Sequence, residues 1–150
     1  MAEHNNDHVT NLPKSPNPVL KTLNRLIGKW RMSGPEVDGQ ISYEWMEGGF
    51  FMIQRFDLKN FGNPHKGIEY SGFDEETQTI RSRLMGTDGS RFTYTYEMDE
   101  DTLFYWFGNK GTNWFSKGKF ASDGRSIVGR WNMPNKDGTG GYSYTLTRIE

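Results

Sequence analysis

What most restricts this chain is the regular return of turn signals after Gly28. They stand at Pro35 to Gly39, Gly48-Gly49, Lys59 to Lys66, Asp74 to Thr77, Asp88-Gly89, Asp99 to Asp101, Gly108 to Gly111, Asp123-Gly124 and Pro134 to Gly138. The nine turns separate ten segments that read with a period of two. Gly-Gly and Asp-Gly pairs suit two-residue connections between adjacent antiparallel strands, because both central residues accept positive φ. No stretch between turns is long and suitably patterned enough for a crossover helix, which argues against parallel pairing. A meander of this length exposes two edges unless it closes on itself. The expected fold is therefore all-β, a closed antiparallel up-and-down barrel of about ten strands.

Composition points the same way. Ten Phe, seven Tyr and five Trp stand against two Ala, Ala2 and Ala121, which excludes a helical bundle and favours strands. With 150 residues, the chain fits one domain that folds without staples. Eighteen Gly and a net charge of −1 suit a turn-rich globular protein rather than a disordered one. Residues 1 to 16 carry almost nothing apolar and read as a disordered tail, leaving 17 to 150 as the barrel domain. Asn17-Pro18 makes a helix start, and Leu20, Leu23, Leu26 and Ile27 give a short helix ending at Gly28 one apolar face, suited to capping a barrel end.

Alternation then assigns side chains to the interior. The inward sets are Trp30 and Met32; Ile41, Tyr43 and Trp45; Ile80, Ser82 and Leu84; Phe92, Tyr94, Tyr96 and Met98; Trp114, Ser116, Gly118 and Phe120; Ile127, Gly129, Trp131 and Met133; and Tyr142, Tyr144, Leu146 and Arg148. Ile68 and Tyr70 are read as inward and Glu44 and Glu69 as outward. Two segments, Phe50 to Asp57 and Leu103 to Phe107, are apolar on both faces, so a loop, the helix or a second subunit must cover one of them. A homodimer over Phe50, Phe51, Ile53, Phe104 and Trp106 is the expected cover.

Leu26-Ile27-Gly28-Lys29-Trp30 resembles the Gly-x-Trp opening of the first strand in lipocalin-like barrels of the calycin type. In that superfamily an Arg near the end of the last strand packs on the Trp, and Arg148 stands in the corresponding place. The resemblance thus implies a structural Trp30–Arg148 pair. Glu44 to Phe51, Gly67 to Asp74 and the terminal Tyr144-Thr145-Leu146-Thr147-Arg148 look like a bacterial family of small lipocalin-like proteins known only as domains of unknown function. That likeness covers about residues 20 to 150 and implies a barrel without implying a substrate. The chain differs from lipocalins proper in its ten strand candidates and lack of Cys, and from fatty-acid-binding proteins in lacking a helix pair after the first strand.

Several chemistries fall away. The absence of Cys excludes disulfides, thiolate zinc sites and cysteine nucleophiles. The three His are His4, His8 and His65; two lie in the tail, too few converging ligands for a metal. His65 follows Pro64 in what reads as a long solvated loop, whereas a haem ligand needs a rigid, dry site. No cofactor is expected. Ser82 and Ser116 have no inward His as base, so a Ser hydrolase is not indicated. Arg81, Arg83, Arg91, Lys117 and Lys119 are exterior cations set apart from the inward aromatics, which argues against a nucleic-acid binder. No apolar run approaches a membrane span, and Met1 to Asp7 has neither the basic start nor the apolar stretch of a signal peptide, giving a cytoplasmic expectation.

What remains is the barrel interior, where aromatic walls with a few polar tips suit a small hydrophobic or aromatic ligand. Tyr43, Trp45, Gln54, Tyr70, Tyr94, Tyr96, Trp114 and Trp131 are the expected lining. A cofactor-free isomerase or cyclase acting on an apolar substrate is the alternative, and it needs an inward acid or base. Tyr94 and Tyr96 are the candidates, with Gln54 as a polar partner. A filled lumen would instead leave a purely structural protein.

Overall fold

The computed structural model of the protein describes residues 11–134 and 140–149. A 3-10 helix, Pro18–Leu26, precedes ten strands: β1 Gly28–Ser33, β2 Val37–Trp45, β3 Phe51–Asn60, β4 Asn63–Asp74, β5 Thr79–Gly86, β6 Arg91–Asp99, β7 Thr102–Phe107, β8 Phe115–Phe120, β9 Ser126–Asn132 and β10 Gly141–Arg148. Each strand pairs antiparallel with its sequence neighbours, and β1 pairs with β10, so the meander closes into a ring with no free edge. Most of the expected tail, residues 1 to 10, lies outside the described residues. So does most of the expected turn from Pro134 to Gly138.

The helix caps one end of the ring. Asn17 accepts a hydrogen bond from the Val19 amide at 2.9 Å, and Pro18 takes the first helical position. Leu20, Leu23 and Leu26, spaced by three, are all buried. That interval matches the three residues per turn of a 3-10 helix, where side chains at i and i+3 eclipse, so one narrow stripe plugs the barrel. Trp30 sits directly above and donates its indole N–H to the Leu26 carbonyl at 2.7 Å. The Arg148 guanidinium lies 4.2 Å from the Trp30 ring centroid and donates to the carbonyls of Ile27 and Arg25, each at 2.6 Å. Cation and ring thus meet across the β1–β10 seam, where Trp30 and Arg148 are register partners.

The long loop expected from Lys59 to Lys66 is a correction. Phe61 (φ 49°) and Gly62 (φ 79°) form a two-residue turn with both central residues left-handed, and the ladder runs up to Asn60 opposite Asn63. Both strands are consequently long, and His65 belongs to β4 rather than to a solvated loop.

The two doubly apolar segments resolve differently. In β3, Met52, Gln54, Phe56 and Leu58 face inward; outside, Phe50 and Phe51 border a surface groove with residues 12 to 18, although Phe51 keeps 48 % of its surface exposed. In β7, Leu103, Tyr105 and Phe107 face inward, while Phe104 and Trp106 stack outside with centroids 5.2 Å apart. The β7–β8 loop folds down this outer face. Gly108 bonds to Thr93 and Thr95, Asn109 accepts from Arg81, and Lys110 pairs with Glu97 at 2.6 Å. The same loop carries the Lys110 ammonium over the Trp106 ring at 5.8 Å.

Candidate functional site

Above the helix plug the lumen is not filled. A cavity of about 570 Å³ reaches from the middle of the barrel towards the end opposite the helix, where the β1–β2, β3–β4, β5–β6 and β7–β8 connections lie. Tyr43, Gln54, Tyr94, Tyr96, Trp114 and Trp131 line it, together with Glu69, Tyr105, Phe107, Tyr142, Tyr144 and His65. One wall is aromatic. Tyr94 stacks on Tyr105 at 4.4 Å with the planes 15° apart, Trp131 meets Tyr105 edge-on at 5.3 Å, and Phe107 meets Tyr94 at 5.5 Å. Tyr144 can lie across the sheet because β8 and β9 place Gly118 opposite Gly129 beneath it. A Cβ at Gly118 would stand 3.0 Å from the Tyr144 hydroxyl.

Two expected lining residues lie elsewhere. Tyr70 points outward, because β4 runs in the opposite phase to the one expected: Gly67, Glu69 and Ser71 face the lumen, and Tyr70 pairs with the outward Arg83. Glu69, expected on the exterior, is fully buried inside. Trp45 is inward but sits low, at the helix, where its indole donates to Asn24 Oδ1 at 2.8 Å. Glu44 is on the outside and pairs with Arg55.

Glu69 organises the middle of the cavity. Ser82 and Tyr96 donate to Oε2 at 2.5 and 3.0 Å, and Tyr105 donates to Oε1 at 2.5 Å. The Tyr96 hydroxyl is also 3.2 Å from Gln54 Oε1. Burial pushes the Glu69 carboxyl above the usual carboxylate range, partly opposed by the hydrogen bonds from Ser82, Tyr105 and Tyr96. Burial, reinforced by the Glu69 charge, also raises Tyr43, Tyr94, Tyr96 and Tyr105, so these phenols stay protonated at neutral pH. Higher up, Ser116 and Tyr144 share a 2.5 Å hydrogen bond and Asn60 donates to the Tyr142 hydroxyl at 3.1 Å. At the mouth, His65 packs on Phe56 at 4.6 Å, and burial lowers its pKa. Among the described residues, no protein acceptor takes the Gln54 amide hydrogens or the Tyr43 and Tyr94 hydroxyls. Those groups are left to whatever enters.

Of these lining residues, sequence reasoning missed Glu69, His65, Tyr105 and Phe107. The signal for Glu69 was the Asp74 to Thr77 turn. It sets Ser71 opposite Ser82 and Tyr70 opposite Arg83, and directly opposed residues share a face. Among the described residues no group of three or more His, Asp or Glu side chains is placed to hold a metal ion, and no helix is long and apolar enough to cross a membrane.

No family model matches the chain, and no curated protein matches it either. Among solved structures it is similar to a chain described as a de novo designed fluorescence-activating beta barrel. The identity is 16%, the TM-score 0.45, and the match covers 85% of this chain and 96% of the other.

Proposed function

We propose that this protein binds a small, largely apolar or aromatic molecule inside the barrel. The observation that carries the reading is the cavity itself: about 570 Å³ of lumen, within the range of small-molecule sites of roughly 300–1,000 Å³. Its walls are aromatic, with a few polar groups available to orient an occupant. The closed ring, with Trp30 on its first strand and Arg148 on its last, supports placing the chain among lipocalin-like barrels. Native mass spectrometry with an absorption scan of freshly purified protein tests the binding reading directly. It is expected to reveal a co-purified organic molecule, or else saturable quenching of tryptophan fluorescence by fatty acids or aromatic polyketides, since Trp114 and Trp131 line the cavity. A protein that carries nothing and responds to none of these compounds is not a carrier.

One observation favours a second reading. A buried carboxyl hydrogen-bonded to two tyrosines is the inward acid that a cofactor-free isomerase or cyclase requires. Recovery of a bound compound in chemically rearranged form would move the protein into that class.

A further inference from the structure

Glu69 is a buried carboxyl with no cationic side chain lining its cavity among the described residues, so burial favours its protonated form unless a positive charge is brought to it. Three hydroxyls converge on its two oxygens as donors, and two of the contacts are 2.5 Å long. Those lengths suit charge-assisted O–H···O⁻ bonds. The shell suits the carboxylate but also accommodates the acid, because the Tyr96 hydroxyl can turn its proton to Gln54 Oε1 at 3.2 Å and accept from a protonated Glu69. A buried carboxylate also calls for a compensating positive charge. Around the carboxyl or elsewhere along the same cavity, β2 offers Tyr43, β3 Gln54, β5 Ser82, β6 Tyr94 and Tyr96, β7 Tyr105, and β10 Tyr142 and Tyr144. The remaining titratable group lining the cavity is His65 at the mouth, on β4 with Glu69 itself, and burial disfavours its cationic form. Among the described residues no Lys or Arg lines the cavity.

We infer that the ligand of this cavity is a lipophilic amine, whose protonated nitrogen supplies the positive charge that Glu69 lacks among the described residues. The inference rests on the cavity-binding reading above. Tyr43, Tyr94 and Gln54 line the same cavity as Glu69, and the stacked Tyr94–Tyr105 pair with Trp131 offers ring faces to a cation. An anionic ligand would oppose ionisation of Glu69 and a neutral one would leave burial to hold its proton, whereas an ammonium offsets the cost of burying the carboxylate.

The experiment is calorimetric titration of the whole protein at pH 7 with three compounds of one shape: naphthylmethylamine, naphthylmethanol and naphthoic acid. The amine is expected to bind about tenfold or more tightly than the alcohol, given the combined cation–π and ion-pair contributions, and the acid more weakly than either. Glu69→Gln is expected to shrink the amine-to-alcohol ratio to about twofold or less, once the charge partner is gone. Equal or reversed affinities in the unaltered protein overturn the amine assignment while leaving the cavity reading intact. A ratio unchanged in the variant overturns it as well. Binding of none of the three defeats both. The unaltered protein decides the matter even if the variant fails to fold.

Discussion

The two ends of this barrel are built from similar residue types and solved in opposite ways. At the helix end the large polar side chains are answered locally: the Trp30 indole by Leu26, the Trp45 indole by Asn24, the Arg148 guanidinium by two carbonyls and a ring. Apolar leucines fill the space between them. In the half beyond Glu69 the rings stack along the wall and leave open volume between the walls, and among the described residues several hydroxyl and amide groups are without protein partners. Packing at one end therefore supplies the stability that lets the other remain unfilled, since an open lumen forgoes contacts.

The contrast can be broken from the packed side. Trp30→Ala should lower the free energy of unfolding in urea by about 3–5 kcal/mol, because it empties a fully buried site whose surroundings are pinned by hydrogen bonds. A loss below about 1 kcal/mol, well under what core truncations cost, would mean that the helix end is not the anchor.

A smaller effect belongs to the boundary between the halves. Glu69 has a folded pKa above its unfolded value, so the folded state holds its proton over a pH range where the unfolded chain has released it. Stability is full below the unfolded pKa and falls as pH rises through the interval up to the folded one. His65 works in the opposite direction: its lowered pKa makes stability rise as pH rises through its own range. Subtracting the stability profile of Glu69→Gln from that of the unaltered protein cancels His65. The difference should show the unaltered protein losing ground steadily from about pH 4.5 upward, the ordinary value of the group. A flat difference would show that the hydroxyl shell offsets burial completely.

The least costly change lies at the mouth. Trp114 keeps 44 % of its surface exposed while bordering the cavity, so Trp114→Ala should change urea stability by less than about 1 kcal/mol, as surface substitutions do. The same variant should lose affinity for any aromatic compound that binds the unaltered protein, read by calorimetry. Equal loss of stability from Trp114→Ala and Trp30→Ala would erase the distinction between the ends.

Much of this architecture was legible because strands with one polar face announce their phase. Arg81 and Arg83 against Ile80 and Leu84, or Lys117 and Lys119 against Phe120, leave a single sensible orientation. β4 failed for a physical reason: Ile68 and Tyr70 look like core and Glu69 looks like surface, yet three donors on β5, β6 and β7 make a buried carboxyl tolerable there. Those donors come from other strands, so hydropathy along β4 alone is silent about them. β7 was ambiguous because its outer face is apolar too, shielded by a loop whose contacts to Thr93, Thr95 and Arg81 are long-range. The candidate site was thus half readable. Rings on clearly phased strands were found, and the polar group at their centre was not.

The seam between β1 and β10 also bears on how the molecule assembles. Trp30 and Arg148 stand at opposite limits of the ring's sequence, and Arg148 reaches carbonyls 121 and 123 residues away. Contacts of such separation are costly to form early, since the loop they close must lose its freedom before much is gained. Large separation thus favours fastening the helix plug after the other strands have fallen into register, with the seam as the last latch of folding rather than its nucleus. Changes there should accelerate unfolding and leave the refolding rate almost untouched.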